Sequence, residues 1–388
     1  MTEQSAEIIV VGGGLAGLAA AVSLARSGHE VIHLAPAAPP DRRTSALMMP
    51  SVEFLLSSGL ISSAESVGHP LTAIRIIDAT PRLIRAPETL FDAREAGLDA
   101  FGWNFGNATL LASFQSAAPE TGLTTRNTAV TGYRRESGLG IVTLADGSTL
   151  AAPLVVGADG KKSLIRTEAG LPARENKFEE AALVCDLDLG RSIGGTSIEF
   201  HYPHGPFTLV PAGGNRANLV WIDEEKVLRE TQAGGQEALL AAFRARSQNL
   251  FGSIALASPS FVFPLSVLSV AEAGRDGTVL VGESAHAFPP IGAQGLNLGL
   301  RDVADLVAVL AETDRSGPDW AQRASAAYAA RRAGDLARTG TMVDALFRSL
   351  LGEMLPSQAL RAGGLWALKL MPSLRRQAFS VGMGQRSA

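Results

Sequence analysis

Residues able to handle a diphosphate stand at the start of the chain. Gly12-Gly13-Gly14-Leu15-Ala16-Gly17 follows the β-branched run Ile8 to Val11 and opens a small-residue segment, Leu18 to Ser27, that reads as a helix. Glycines at the first, third and sixth places of such a turn let the backbone reverse sharply, approach a phosphate without a Cβ in the way, and seat the helix on the sheet. The helix start then offers unpaired N–H groups and a partial positive charge. A second group of the same kind is Asp159-Gly160, after the buried run Val155 to Ala158, with Ser163 set to start a helix. A third is the long glycine-rich stretch from Gly282 to Asp302, with Glu283, Pro289-Pro290, Gly292, Gly295 and Asn297 inside it.

The elements needed to position these loops are legible around them. Glu30 to Leu34 reads as the strand that completes an opening βαβ unit, and Thr278 to Val281 as a buried strand leading into the third loop, with Leu296 to Ala311 helical by period. Between them the pattern changes to short alternating strands: Thr72 to Asp78, Ser197 to Tyr202, and Asn218 to Ile222. These predict an antiparallel sheet with one wet face, interleaved with a doubly wound domain. The divisions expected are 1–70, 97–175 and 274–330 for the nucleotide domain, 71–96 and 176–273 for the sheet domain, and 331–388 for a helical carboxyl-terminal region.

An acidic side chain ordinarily closes the second strand of such a unit and binds the ribose hydroxyls. Ala35 holds that place. The missing charge-assisted hydrogen bond costs about 1.5–3 kcal/mol of cofactor affinity, unless Arg43 or water takes over the ribose.

Bulk properties exclude several classes. The 388 residues are 46% hydrophobic and 19% charged, with a net charge of −4, which gives no support to phosphate-backbone binding by nucleic-acid proteins. A single cysteine, Cys185, forms no internal disulfide, and no Cys/His spacing builds a metal site. The apolar stretch Ile8 to Ala25 is preceded by Glu3 and Glu7 without Lys or Arg, unlike a secretory signal, and its glycines cut it too short to span a bilayer. A cytoplasmic protein is expected, with a peripheral place at the inner membrane face as an option.

The three loops, in this order and at these separations, resemble the group A flavoprotein monooxygenases, the para-hydroxybenzoate hydroxylase fold, and within it the ubiquinone-biosynthesis aromatic hydroxylases. The third loop, Pro289-Pro-Ile-Gly-Ala-Gln-Gly-Leu-Asn-Leu-Gly-Leu-Arg-Asp302, carries the likeness most strongly. Asp41-Arg-Arg-Thr-Ser-Ala-Leu47, Phe101-Gly-Trp-Asn-Phe105 before Asn107, Phe263-Pro-Leu265 and Arg331-Arg332 extend it over essentially the whole chain. The resemblance implies an α/β fold: a Rossmann-like FAD-binding domain interleaved with an antiparallel β-sheet substrate domain, plus a helical carboxyl-terminal tail.

It also implies FAD as cofactor, NAD(P)H or a redox partner protein as electron donor, dioxygen as co-substrate, and a small aromatic substrate with a polyprenyl tail. Carried over residue by residue, the FAD contacts are Gly12, Gly14, Leu15, Ala16, Gly17, Ala35, Arg43, Asn107, Val130, Asp159, Gly282, Glu283, Pro290, Gly295, Leu296 and Asn297. Val130, placed before a turn, would meet the adenine through its backbone. Pro290 and Gly292 would flank the flavin ring, and Phe207, Val210, Trp221, Phe263 and Pro264 would line the substrate. The sequence departs from the family at Glu283, usually Asp, and at Asn107, often Arg.

A flavin suits the third loop on physical grounds too. Reduction puts negative charge on one edge of the ring, and a helix starting near Gly295 aims the N–H groups of Leu296 and Asn297 at it. No catalytic acid or nucleophile is required, because the cofactor carries the oxygen chemistry. His201 and His204 lie on the substrate sheet, yet these and His286 read as structural histidines, and Cys185 as a buried small hydrophobe.

Two alternative functions stay open, another flavin reaction on the same scaffold and a flavin-poor subunit of a quinone-biosynthesis assembly, and the tail admits two roles. A halogenase is disfavoured, since Trp103, Trp221, Trp320 and Trp366 are all isolated. From Ala345 to Ala388 the net charge is +5, which fits contact with an anionic membrane or a partner protein, or equally a docked helix pair with a solvated basic edge.

Overall fold

The computed structural model describes residues 5–81, 85–290 and 293–351, with 339–351 by backbone only. Gly292, Trp366 and most of the basic tail lie outside these residues.

Four sheets organise the described chain. The first has six strands, in the order Gly274–Arg275, Thr278–Leu280, Leu154–Gly157, Ile8–Val11, Val31–Leu34, Thr124–Arg126, all parallel except the first. Ile8 to Val10 and Leu154 to Val156 are entirely buried, as expected of strands covered on both faces. Helix Leu15–Arg26 packs on this sheet through a run of Ala and Gly that lets its axis come close. It begins three residues before the predicted Leu18, because the second half of the glycine turn is already helical. A three-stranded meander, Val130–Glu136, Leu139–Leu144 and Thr149–Ala152, sits beside it.

A nine-stranded mixed sheet forms the other body. Its main path runs His286–Ala287, Phe261–Val270, Ala173–Leu189, Arg216–Glu224, Gly205–Pro211, Thr196–Tyr202, Ala73–Asp78, Thr89–Asp92, with Ile254–Leu256 pairing to Ala173–Leu189 off that path. All neighbours are antiparallel except Thr196–Tyr202 and Ala73–Asp78. One face buries Phe200, Phe207, Leu209, Leu219 and Trp221 against Phe243 of helix Gly235–Arg246. A small antiparallel sheet, Thr44–Met48, Gly102–Gly106 and Gly68–Leu71, joins the two bodies.

The chain passes between bodies inside continuous elements. Strand Ala173–Leu189 starts alongside the nucleotide domain and ends in the large sheet, so it crosses the division expected at 175/176. Helix Trp320–Leu351 likewise runs through 330/331.

That helix is tied to helix Gln294–Glu312 by a buried ionic cluster. Arg332, fully buried, donates to Asp302 (2.8 Å), Asp305 (2.7 Å) and Asp335 (2.7 Å). Asp302 also accepts from His286 Nε2 (2.6 Å) and from the Gly282 amide (2.9 Å). Arg331 and Arg301 add outer pairs to Asp305 and Asp335. The cluster therefore reaches from the last helix to the first residue of the third loop. Burial would raise the Asp302 pKa, but His286 and Arg332 outweigh it and hold the carboxyl below its ordinary value.

Two outcomes follow from this cluster. Replacing Arg332 by Met should destabilise the protein by about 3–5 kcal/mol in urea denaturation, because buried carboxylates lose their partner; a loss under about 1 kcal/mol would show the cluster to be dispensable. Because the folded-state pKa of Asp302 is lowered, its contribution is complete above roughly pH 4 and disappears as pH falls through the folded value. Melting temperatures of wild type and Asp302→Asn should therefore differ most near neutrality and converge as pH falls below the ordinary carboxylate range.

Candidate active site

The three loops meet through backbone contacts that leave no room for a side chain. Gly12 has φ +130°, and a Cβ there would lie 2.0 Å from the Ala158 carbonyl oxygen of the second loop. On Gly17 it would fall 2.1 Å from Gly12 O. Gly282, at φ +61°, brings the third loop to Ala16, with Gly299 against it. His33, beneath the first loop, holds the Gly12 carbonyl through Nε2 (2.9 Å). Burial lowers the His33 pKa, so the ring stays neutral and Nε2 donates.

Asp159 is the hinge of the second loop. Its carboxylate accepts from the amides of Leu164 (2.7 Å) and Ile165 (3.1 Å) and from the Ser163 hydroxyl, closing the start of helix Leu164–Glu168. Ser284 then links loops two and three. Its hydroxyl donates to Asp159 (3.2 Å) and accepts from the Gly160 amide (3.1 Å), while Arg166 holds the Ser284 carbonyl (2.9 Å). Sequence reasoning missed Ser284 and Arg166, since a lone serine after Glu283 and an arginine one turn into a short helix carry no spacing signal.

Two helix starts converge on this junction without a side-chain cap or an acid in the first turn: Leu15–Arg26 and Gln294–Glu312. Gly14 and Gly295, at these starts, face open space, with nothing within 4 Å of an added Cβ. Ala293, before the second helix, adopts φ +54°, which costs of order 1–3 kcal/mol in a non-glycine residue. Asn297 holds it there, donating to Ala293 O (2.5 Å) and to Ala46 O (2.9 Å) and accepting from the Met48 amide. The Asn297 side chain is thus structural, while its amide belongs to the exposed helix start. Leu296 packs part-buried against the core, Pro289 is buried and Pro290 exposed.

The remaining expectations divide. Ala35 follows strand Val31–Leu34 and lies against Gly13, giving the second strand no acidic end. Arg43 does not stand ready to replace it. Its Nε and Nη2 are bound to Asp41 (2.9 and 2.8 Å), which raises the Arg43 pKa, and the nearby Glu283 carboxylate adds to the effect. Asn107 completes that knot, donating to Asp41 (2.9 Å) and accepting from Ser45 (2.7 Å). Burial would raise the Asp41 pKa, but Arg43 and Asn107 bring it below the ordinary range. Val130 opens a strand paired to Leu144 rather than preceding a turn.

The substrate-lining residues need a larger correction. Phe207 and Trp221 are 0% and 1% exposed, packed on Phe243 with ring centroids 6.2 Å apart in each pair, on the face of the large sheet turned away from the glycine loops. Strand alternation puts Val210 and Phe263 on the opposite face. Pro264 is exposed where the ladder with Ala173–Leu189 shifts register, so it marks the bend of its strand, as suits a residue without an N–H. His286 is a buried partner of Asp302, and Cys185 is buried with its thiol pushed up to about 12, which leaves it inert. No helix among the described residues is long and apolar enough to cross a membrane.

The helix starts separate packing from binding. Gly12→Ala should fail to fold or lose more than about 3 kcal/mol, whereas Gly14→Ala should keep the melting temperature of the apoprotein and weaken flavin binding about tenfold or more. Equal behaviour of the two variants, in thermal melts and flavin titration, would contradict the division.

Comparison with known proteins agrees with this geometry. The family model described as FAD binding domain matches residues 5–336. A ubiquinone hydroxylase, UbiL of Rhodospirillum rubrum, is 30% identical over 98% of this chain and 90% of its own length. The 3-demethoxyubiquinol 3-hydroxylase of Escherichia coli is 28% identical over 99% and 100%. Among solved structures, p-nitrophenol 4-monooxygenase PnpA of Pseudomonas putida shares the fold, with a TM-score of 0.79 at 17% identity and full coverage of both chains. HpxO of Klebsiella pneumoniae, solved with FAD and uric acid, has a TM-score of 0.77 at 17% identity, covering 97% of each chain. With an uncapped helix start at each end of a side-chain-free junction and a family match over most of its length, the chain belongs to the FAD binding domain family of aromatic monooxygenases.

Proposed function

We propose that this enzyme hydroxylates the aromatic ring of a polyprenylated phenol or quinone precursor in ubiquinone biosynthesis. Near full-length similarity to two ubiquinone-pathway hydroxylases carries the reading. Bound and reduced, FAD supplies the activation of dioxygen and the transfer of one oxygen atom to an electron-rich ring.

The chain's own residues hold and orient. Amides of Leu15, Ala16 and Gly17, above Gly12 and Gly14, would take the diphosphate, and Val130 the adenine through its backbone. Glu283 would reach the ribityl chain, with Arg43 balancing its charge. Amides of Leu296 and Asn297, with Gly295 leaving space and Pro290 beside the ring, would stabilise negative charge on the reduced cofactor. Asp159 serves this site by fixing the second loop, Asn107 by holding Asp41 and Arg43, and Gly282 by setting the third loop. Val210 and Phe263 belong to the substrate side. NAD(P)H or a redox partner protein supplies electrons, and the basic tail gives the chain a peripheral place at the inner membrane face.

Purified protein should carry flavin bands near one equivalent and, with a reductant and dioxygen, add one oxygen atom to a prenylated phenol, read by mass spectrometry. Cells lacking the gene should accumulate an under-hydroxylated prenylphenol. A colourless protein that refuses FAD, together with an unchanged quinone pool, would overturn the proposal.

A further inference from the structure

Two exposed phenylalanines lie side by side on the large sheet. Phe261 and Phe263 are each 44% exposed, and their rings stack with centroids 6.3 Å apart at 27°. Neither belongs to the core beneath Phe207 and Trp221. Their register places them on the other face: Phe263 is directly opposite Ala182, and Phe261 opposite Val184, which is in turn opposite Val220. Directly opposed residues of an antiparallel pair share a face. The same row continues to Thr208 and Glu199.

Adjacent to it runs a second row, Asp186, Asn218 and Val210. Here the sheet joins the flavin side. Buried Asn104 donates to Asn218 Oδ1 (2.7 Å) and to Pro211 O (2.8 Å), and Asn218 donates to Asp186 (2.6 Å). Asn104 sits opposite Ala46, whose carbonyl accepts from Asn297 at the start of helix Gln294–Glu312. Hydrogen bonds and shared strand positions therefore lead from the glycine-rich loop to a row of half-buried valines on one face, and from there to the open aromatic pair.

Val184 and Val220 are half-buried, so apolar surface remains available along this row, while Phe178 and Leu265 cover the adjoining Ala182 and Ile222. Leaving two rings half in water forfeits hydrophobic stabilisation that burial would supply. We infer that Phe261 and Phe263, with Val184 and Val220, form the platform that receives the isoprenoid tail of the substrate, the ring being held at the Asn218 and Val210 end. This rests on the function proposed above. Branched, unsaturated hydrocarbon packs against stacked rings without any polar partner.

The test compares holoenzyme with the Phe261→Ala variant on phenols that share one ring and carry no tail, one isoprene unit or three. Equilibrium binding and steady-state kinetics are both measured. Wild type should bind more tightly with each added unit, and the variant should lose that dependence: KM and Kd for the longest tail rise at least about tenfold, while kcat and binding of the tailless phenol stay within about twofold. The Phe261→Gln variant makes the same test should Phe261→Ala lose solubility.

Equal weakening for all tail lengths, or none, would overturn the platform. So would loss of binding to anionic lipid vesicles with tail dependence intact, which would make the pair a membrane contact, or a change in oligomeric state, which would make it an interface. Tail-dependent binding that vanishes in the variant, with no oxygenated product from either protein, keeps the platform and removes the reaction.

Discussion

At Gly12, Gly17 and Gly282, three segments of chain separated by more than a hundred residues approach within contact distance of one another's backbone, and the rest of the structure is arranged around that approach. A Cβ at Gly12 would occupy the space of the Ala158 carbonyl, and one at Gly282 would press on Ala16. Such contacts are available only to glycine, and two of the three residues also need a positive φ. The consequence reaches past packing. With side chains absent from the junction, what it presents to a ligand is backbone: the uncapped starts of helices Leu15–Arg26 and Gln294–Glu312.

An amide cradle of that kind has to be held still by something else. Asp159, Ser284 and Arg166 fix the second loop to the third, and Asn297 holds Ala293 in its strained conformation while binding strand Thr44–Met48. Behind them Asp302 gathers the Gly282 amide, His286 and Arg332 into one buried group. Much of the charge is therefore placed one layer back from the cradle, where it orders backbone. This division suits a cofactor whose reactive ring must meet a flat, dry wall.

Much of this was legible in the sequence because glycine spacing and strand patterns are local signals. The parallel order of the first sheet, the helix after Asp159 and the return of the nucleotide domain near Thr278 all follow from short runs of residues. What could not be read is what depends on face. Phe207 and Phe263 both sit in alternating strands rich in aromatics, and a period of two says that neighbours point apart without saying which side meets the cofactor. Register decides it, and register is a property of the pairing with Ala173–Leu189 and Arg216–Glu224. Arg43 shows a related limit: an arginine near a ribose site looks wholly free in sequence, whereas the structure folds Asp41, two residues earlier, back on its Nε and Nη2.

The same geometry bears on the departures at Ala35, Asn107 and Glu283. Ala35 lies against Gly13, so a longer side chain there would have to turn away from the first loop before reaching a ribose. Asn107, uncharged, is tied to Asp41 and Ser45, and the cation that an arginine would bring is supplied two residues from Asp41 by Arg43. Glu283 is exposed beside that cation, with an extra methylene that its surroundings do not crowd. Each change alters a side chain at the rim, whereas the backbone contacts at Gly12, Gly17 and Gly282 that create the cradle are intact. Binding that relies chiefly on amides and helix starts is insensitive to such exchanges, which is why a chain 30% identical to UbiL keeps the family's cofactor architecture.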